Sequence, residues 1–364
     1  MKEKAKKVFV GISGGVDSSV CAYLLKKEGY DVHGIFVKTW SPEWLPCTWV
    51  DEKRDAMRVC AHLDIPFHFL DAEEEYKKGV ADYMISEYRA GRTPNPDVLC
   101  NRVIKFGVMW DYAKAHGADL VATGHYARLL PSSREGGQTQ TDRKKLMKGV
   151  DQSKDQSYFL WMLTQEDLSH TLFPIGHLQK SEVRAIAQKS ALFTSDKKDS
   201  QGICFLGDVD MREFLSHYIE QKKGPVVNTL GETVGEHDGI WFYTLGERHG
   251  FKITKQTDDQ KPYYIVGKDI ETNTLTVSHD PKTATNKKTT QTITLRDTNW
   301  LSTRQDLSEG ITAQIRYHGE QIPAKVIDYS TVELIYSGTI AEGQSLVLYQ
   351  GENLIGGGVI EQIS

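Results

Sequence analysis

Val8-Phe9-Val10-Gly11-Ile12-Ser13-Gly14-Gly15-Val16-Asp17-Ser18-Ser19-Val20 reads as a buried strand that breaks into a turn rich in glycine and hydroxyl groups and then opens a helix. Such a turn suits a phosphate. Gly14 and Gly15 let the backbone approach an anion, Ser13, Ser18 and Ser19 offer hydroxyl donors, and the helix presents free amides at its positive end. A Walker-type loop would carry Gly-Lys-Ser/Thr, and here Asp17 stands instead of the cation, which disfavours kinase or GTPase chemistry.

Working outward, helical spacing over 18–28 stops at Gly29, a strand follows over 31–39, a helix over 51–63 and a strand over 66–71. This alternation predicts a parallel sheet with helices on both faces. A further strand over 119–123 ends in Gly124-His125-Tyr126, at the sheet edge where open α/β folds bind ligands. A polar stretch at 132–141 reads as a loop, and 165–172 and 180–190 read as helices. From Gly224 short alternating runs replace helical spacing, among them 239–245 and 263–267. After a polar linker at 281–288, runs at 292–295, 312–317, 323–329, 332–336 and 345–349 suggest a second small β module. The division expected is 1–222, 223–286 and 287–364.

The chain has 364 residues, 39% hydrophobic and 26% charged, which is room for two or three soluble domains. No apolar run is long enough to span a bilayer, and the basic start runs straight into the first strand without a signal core, so a cytoplasmic protein is expected. A net charge of −5 argues against indiscriminate nucleic-acid binding, leaving local patches as candidates: Arg143-Lys144-Lys145 with Lys148, Lys197-Lys198 and Lys222-Lys223. Each alone is an ordinary solvated face. Five widely spaced cysteines with no CxxC pair suggest neither a disulfide framework nor a zinc or iron–sulfur site.

Two cysteines stand out. In Gly91-Arg92-Thr93-Pro94-Asn95-Pro96-Asp97-Val98-Leu99-Cys100-Asn101, the prolines stiffen a turn, Asp97 stands at a helix start and Cys100 falls in the first helical turn, where the dipole and Arg92, Arg102 and Lys105 favour a thiolate. Cys204 follows Gly202 in a loop downstream of Lys197 and Lys198. Cys21 and Cys60 lie in amphipathic helices and read as core, while Cys47 has no assigned role.

Ser-Gly-Gly-Val-Asp-Ser resembles the loop of the N-type ATP pyrophosphatases, which split ATP between its α- and β-phosphates. With Gly-Arg-Thr-Pro-Asn-Pro-Asp-Val-Leu-Cys-Asn (91–101), Ala-Thr-Gly-His-Tyr (122–126), Lys-Asp-Gln-Ser-Tyr-Phe-Leu (154–160), Lys-Asp-Ser-Gln-Gly-Ile-Cys-Phe (198–205) and Ile-Arg-Tyr (315–317), the whole chain resembles the tRNA-specific 2-thiouridylases. One departure is Gln201, where the family's better-known members carry Thr.

The resemblance implies an α/β fold: an adenine nucleotide alpha hydrolase-like (Rossmann-like) parallel-sheet domain followed by two small β-rich domains, the last a β-barrel. It also implies ATP with Mg²⁺ over Gly11, Ile12, Ser13, Gly14, Gly15, Val16, Asp17 and Ser18, flanked by Val37 and Gly124, and no resident metal. Uracil O2 of the wobble uridine would be adenylated. Sulfur would then arrive from a Cys204 persulfide, with Cys100 as the nucleophile that frees hydrosulfide or as a disulfide partner, and Asp97 moving protons. Asn95, Pro96 and Asp97 would meet the extruded base, and His125, Lys154, Asp155, Gln156, Arg316, Tyr317 and Gln344 the rest of the tRNA. The implied partners are tRNAs of the Lys, Glu and Gln type and a sulfur relay protein or cysteine desulfurase, with a monomer as the default. Two other readings remain. A ligase of the same fold acting on a carboxylate or small molecule would leave both cysteines inert, and a non-catalytic tRNA-binding protein would release no AMP.

Overall fold

The computed structural model describes residues 5–45, 49–131, 143–199, 204, 209–255, 261–280, 289–303 and 310–364. Cys47, Gln201 and the stretches expected as loop (132–141) and linker (281–288) lie outside them.

Val8, Phe9 and Val10 are fully buried because their strand, Lys7–Gly11, is the middle of a five-stranded parallel sheet. The strand order is Phe67–Asp71, Asp31–Lys38, Lys7–Gly11, Leu120–Ala122 and Thr171–Leu172. Helices Val16–Lys27, Trp49–His62 and Lys180–Lys189 cover one face, and a helical run from Pro96 to Ala115 lies on the other. The chain moves outward from Lys7–Gly11 in one direction and then returns to its other side with Leu120–Ala122. That reversal opens a crevice between Gly11 and Ala122, flanked by the first loop and Gly124.

The run from Pro96 to Ala115 is helical throughout but unevenly wound: α over Pro96–Leu99, π over Cys100–Val108 and α again over Met109–Ala115. The expected helix over 165–172 stops at Ser169, and Thr171–Leu172 pairs as an edge strand beside Val121 and Ala122. A second sheet runs Lys252–Ile253, Thr233–His237, Gly224–Asn228, Thr274–Ser278, Tyr264–Asp269. The run 239–245, expected as extended, instead begins with a 3₁₀ turn at Ile240–Phe242. The cause is local: the Gly239 amide donates to His237 Nδ1 at 3.0 Å and the Ile240 amide to Asn273 Oδ1 at 3.4 Å, so these amides serve buried side chains rather than a neighbouring strand.

The last module is a closed six-stranded barrel in the order Thr289–Trp300, Thr331–Tyr336, Ile322–Val326, Ile311–Gln314, Ser345–Gln350 and Asn353–Ile363, which pairs back onto Thr289–Trp300. Its final strand escaped the sequence pattern because it carries Gly356-Gly357-Gly358. There a Cβ on Gly357 would stand 2.9 Å from the Leu346 carbonyl oxygen and 3.0 Å from the Trp161 ring. A hairpin from the first domain, Ala127–Pro131 with Lys144–Lys148, pairs onto this strand through Leu146 and Leu354. No helix among the described residues is long and apolar enough to cross a membrane.

Candidate active site

The first loop is held by its own hydroxyls. Ser18 Oγ accepts from the Ser13 amide at 3.3 Å, Ser13 Oγ accepts from the Gly15 amide at 3.4 Å, and Ser19 Oγ donates to the Gly15 carbonyl at 2.7 Å. Gly14 has φ +75°, and a Cβ there would meet Asp55 Cβ at 2.9 Å. Gly124 packs equally close, since a Cβ would lie 3.1 Å from the Ser18 amide nitrogen. Gly11, Ile12 and Val16 complete the turn from strand to helix, and Val37 is buried at the end of the neighbouring strand.

The cations missing from the loop arrive from elsewhere in the chain. Lys180 Nζ donates to both Asp17 carboxylate oxygens at 2.8 Å and lies 2.9 Å from Asp199, while Tyr126 Oη donates to Asp17 at 2.8 Å. Lys197 Nζ donates to the Gly14 carbonyl at 3.1 Å and to Asp55 at 2.8 Å, so it belongs to the phosphate loop rather than to a separate basic patch. Lys154 and Arg184 close on Asp199 at 2.8 and 2.7 Å. Burial pushes the Asp199 carboxyl up, but Lys154 and Lys180 outweigh that and hold it down at about 2. Sequence reasoning passed over Lys180. Its one signal was position: it opens helix Lys180–Lys189, where a cation opposes the helix dipole unless a carboxylate compensates it.

The second cluster joins the two motif cysteines. The Cys100 and Cys204 thiols are within hydrogen-bonding contact, Asp97 Oδ1 accepts from the Cys204 amide at 2.9 Å, and Tyr76 Oη donates to the Cys204 carbonyl at 3.0 Å. Burial raises the Cys100 thiol well above its ordinary range. Cys204 moves the other way, because the Cys100 hydrogen bond and the Lys105 ammonium outweigh burial. Burial also raises Asp97, against the pull of the Cys204 amide and Lys105, which suits it to carry a proton. Of the three cations expected near Cys100, only Lys105 is there. Arg92 pairs with Glu87 at 2.6 Å and Arg102 with Asp167 at 2.9 Å. Cys21 and Cys60 lie in the core on the opposite face of the sheet.

The remaining residues singled out in the sequence are brought near this cluster or hold its surroundings. Asn95 hydrogen-bonds Tyr158, Pro96 opens the helical run, and Tyr317 packs on Phe159 with ring centres 4.4 Å apart. Gln344 Nε2 donates to the Thr93 carbonyl at 2.8 Å. Arg316 donates to the Thr339 carbonyl at 3.0 Å on the barrel surface. Asp155 accepts from the amides of Gly149 and Ser157 at 2.9 and 3.1 Å, and Gln156 from that of Tyr126 at 3.1 Å. His125 is buried, with Nδ1 2.7 Å from Thr123 Oγ1 and Nε2 3.4 Å from Lys105 Nζ.

Models of known families match in three consecutive pieces: a tRNA methyl transferase HUP domain over residues 6–208, a tRNA methyl transferase PRC-barrel domain over 212–279 and an aminomethyltransferase beta-barrel domain over 290–360. Among solved structures there is a partial likeness to the U34-tRNA thiolase NcsA from Methanococcus maripaludis, at 18% identity and TM-score 0.34 over 58% of this chain and 63% of that one. The chain is 43% identical to the tRNA-specific 2-thiouridylase MnmA of Bacillus velezensis and 42% identical to that of Bacillus subtilis, each over 98% of this chain and 95% of the relative. On that identity, sustained through all three domains, the chain belongs to the tRNA-specific 2-thiouridylase family.

Proposed function

We propose that the protein replaces O2 of a tRNA wobble uridine with sulfur, at the expense of ATP. The observation that carries this reading is the meeting of Cys204 and Cys100 beside Asp97, next to a loop built for phosphate. A ligase of the same fold has no use for a thiol pair, and neither does methyl transfer, the reaction named in the matching family models.

Uracil O2 attacks the α-phosphate of ATP and pyrophosphate leaves, its charge met by the loop amides, Lys180 and Lys197. The partly exposed Asp17 carboxylate, both of whose oxygens accept from Lys180, would hold a Mg²⁺ ion brought with the nucleotide once the Lys180 ammonium turns to the pyrophosphate, since such ions take one or two carboxylates and leave the remaining positions to phosphate and water. An ion held there would supply charge neutralisation to the phosphates. The terminal sulfur of a Cys204 persulfide attacks C2, and the C2–O bond breaks to release AMP. Cys100, its proton passed to Asp97, then attacks Cys204 Sγ, which leaves sulfur on the base and a Cys100–Cys204 disulfide for a thiol reductant to open. Asn95, Pro96, Tyr317 and Gln344 border the entry for the base, with Lys154, Asp155, Gln156 and Arg316 shaping or flanking the tRNA surface; His125, expected there too, is buried against Lys105 and Thr123 and does not face the tRNA. The sulfur source is a relay protein or a desulfurase.

The test is a mercury-gel shift of unmodified tRNA(Lys) with protein, ATP, Mg²⁺ and a persulfide donor. A retarded band that needs ATP and disappears in Cys100→Ser and Cys204→Ser is expected. AMP formation on another substrate, with no retarded band from any sulfur source, refutes the proposal.

A further inference from the structure

We infer that Lys105 is a catalytic residue of sulfur transfer, and that the buried His125 positions it: the ammonium rests against the facing thiols of Cys100 and Cys204 and compensates whichever sulfur of the pair is anionic. This rests on the reading of the two cysteines as sulfur carriers.

The placement starts with the helix winding. Five residues along an α-helix are turned by about 140° from the start, so Lys105 would point away from Cys100 in an α-helix. The segment Cys100–Val108 is π-wound, with hydrogen bonds that span five residues, and this returns position 105 to the face of position 100. Lys105 interacts with both thiols and hydrogen-bonds Cys204. On its far side stands His125. An ammonium can only donate, so His125 Nε2 must accept from Lys105 at 3.4 Å, which puts the imidazole proton on Nδ1 and lets it donate to Thr123 Oγ1 at 2.7 Å. Burial, then Lys105, holds the imidazole well below its usual range and hence neutral. The rings of Phe106 and Phe173, centred 6.0 and 5.9 Å away, leave it little room to turn. His125 is thereby a fixed acceptor that orients Lys105.

The charged and titratable groups around Cys204 are Cys100, Lys105, Asp97 and Tyr76. Among these described groups Lys105 alone is cationic. Its role begins with loading: the Cys204 thiolate attacks the terminal sulfur of a persulfide donor, the new S–S bond forms, and the donor leaves as a thiolate. Thiolate population at neutral pH sets that rate, and Lys105 sustains it. When Cys100 later attacks, the same ammonium favours its ionised form against the burial that opposes it.

The experiment is the pH profile of Cys204 alkylation by iodoacetamide in the full chain, read by peptide mapping, for wild type, Lys105→Met, Lys105→Arg and His125→Phe. In Lys105→Met the midpoint should move at least about one unit alkaline from its wild-type value of about 7, so that alkylation at pH 7 slows at least about fivefold. Lys105→Arg should recover most of the shift, and His125→Phe should show a smaller one in the same direction. Should Lys105→Met fail to fold, an unmoved midpoint in His125→Phe overturns the inference, as does an unmoved midpoint in folded Lys105→Met. Wild-type thiolation of tRNA with unmoved midpoints removes Lys105 alone from the mechanism. Shifted midpoints in a protein that thiolates no tRNA uphold the role of Lys105 at the thiols and refute the thiouridylase reading.

Discussion

Replacing Lys180 by Met tests whether the phosphate loop depends on a cation from outside it. The Lys180 side chain is 12% exposed and its partners Asp17 and Asp199 are 31% and 28% exposed. Removing one member of a fully buried pair costs about 3–5 kcal/mol, and partial exposure here brings the estimate to about 2 kcal/mol. Asp199 keeps Lys154 and Arg184, which limits the loss, whereas Asp17 keeps only the Tyr126 hydroxyl among the contacts described above. For a domain of this size about 2 kcal/mol corresponds to a fall of about 4–8 °C in melting temperature. The effect on catalysis should be larger, because a preorganised charge aimed at a leaving group is worth about a hundredfold or more in rate. Differential scanning fluorimetry and tRNA-dependent pyrophosphate release measure the two separately, with Lys180→Arg as the charge-retaining control. A melting temperature within about 1 °C of wild type, together with pyrophosphate release within about threefold, would refute the assignment of Lys180 to the phosphate site.

Three further outcomes are expected. Burial, joined for His68 by His33, His116 and Lys7, lowers His33 and His68, and burial likewise lowers His125, His170 and His237. Stability is therefore full above the unfolded-state value of about 6.5 and falls as pH drops below it and through the lower folded-state values. Urea midpoints that stay level from about pH 7.5 to about pH 5 would contradict this. Gly357→Ala forces a Cβ to within 2.9 Å of a carbonyl oxygen that cannot move aside, and should cost about 1–3 kcal/mol in urea unfolding; no measurable loss would show that the strand can shift. Diamide should link Cys100 to Cys204 and leave Cys21 and Cys60 reduced, because the lowered Cys204 thiol reacts first with Cys100 against it, whereas Cys21 and Cys60 are held up by burial in the core on the other face of the sheet; peptide mapping that finds any other pairing refutes the contact.

The parallel sheet and its phosphate turn were legible because their determinants are contiguous: Val8-Phe9-Val10, Gly14-Gly15 and the hydroxyls of Ser13, Ser18 and Ser19 within a single stretch. The cysteines were legible as candidates through their local company, although only the fold shows that they meet. Lys105 was visible as a nearby charge, yet α-helical spacing alone would have turned it away from Cys100. Lys180 and Lys197 could not be placed at all from sequence, since their partners Asp17, Gly14 and Asp55 lie on other elements far away in the chain. The hairpin Ala127–Pro131 with Lys144–Lys148 was hidden for a different reason. Its partner strand lies far along the chain, and the polar stretch between its arms read only as a loop.

That hairpin changes how the barrel is to be understood. A β module appended to a catalytic domain could be a tethered RNA platform, but here all three parts of the chain converge on the segment to which the proposed function assigns the chemistry. The barrel holds Thr93 from both sides, with the Thr93 amide donating to the Glu342 carbonyl at 2.9 Å and Gln344 donating to the Thr93 carbonyl at 2.8 Å. From the central sheet, Lys268 donates to the carbonyls of Gly91 and Tyr243 at 3.1 and 2.6 Å, and burial lowers it to about 8. Arg296 of the barrel and Arg92 share Glu87 of the first domain, each at 2.6 Å. Gly91-Arg92-Thr93 is thus a clamp point, and the chain leaves it directly into Asn95-Pro96-Asp97 and the turn bearing Cys100. The prolines fix the direction of exit and the three-domain clamp fixes its origin. The positions of Asp97 and Cys100 therefore follow from contacts spread over all three parts of the chain, which ties the barrel to the proposed chemistry through geometry, apart from any contact it makes with RNA.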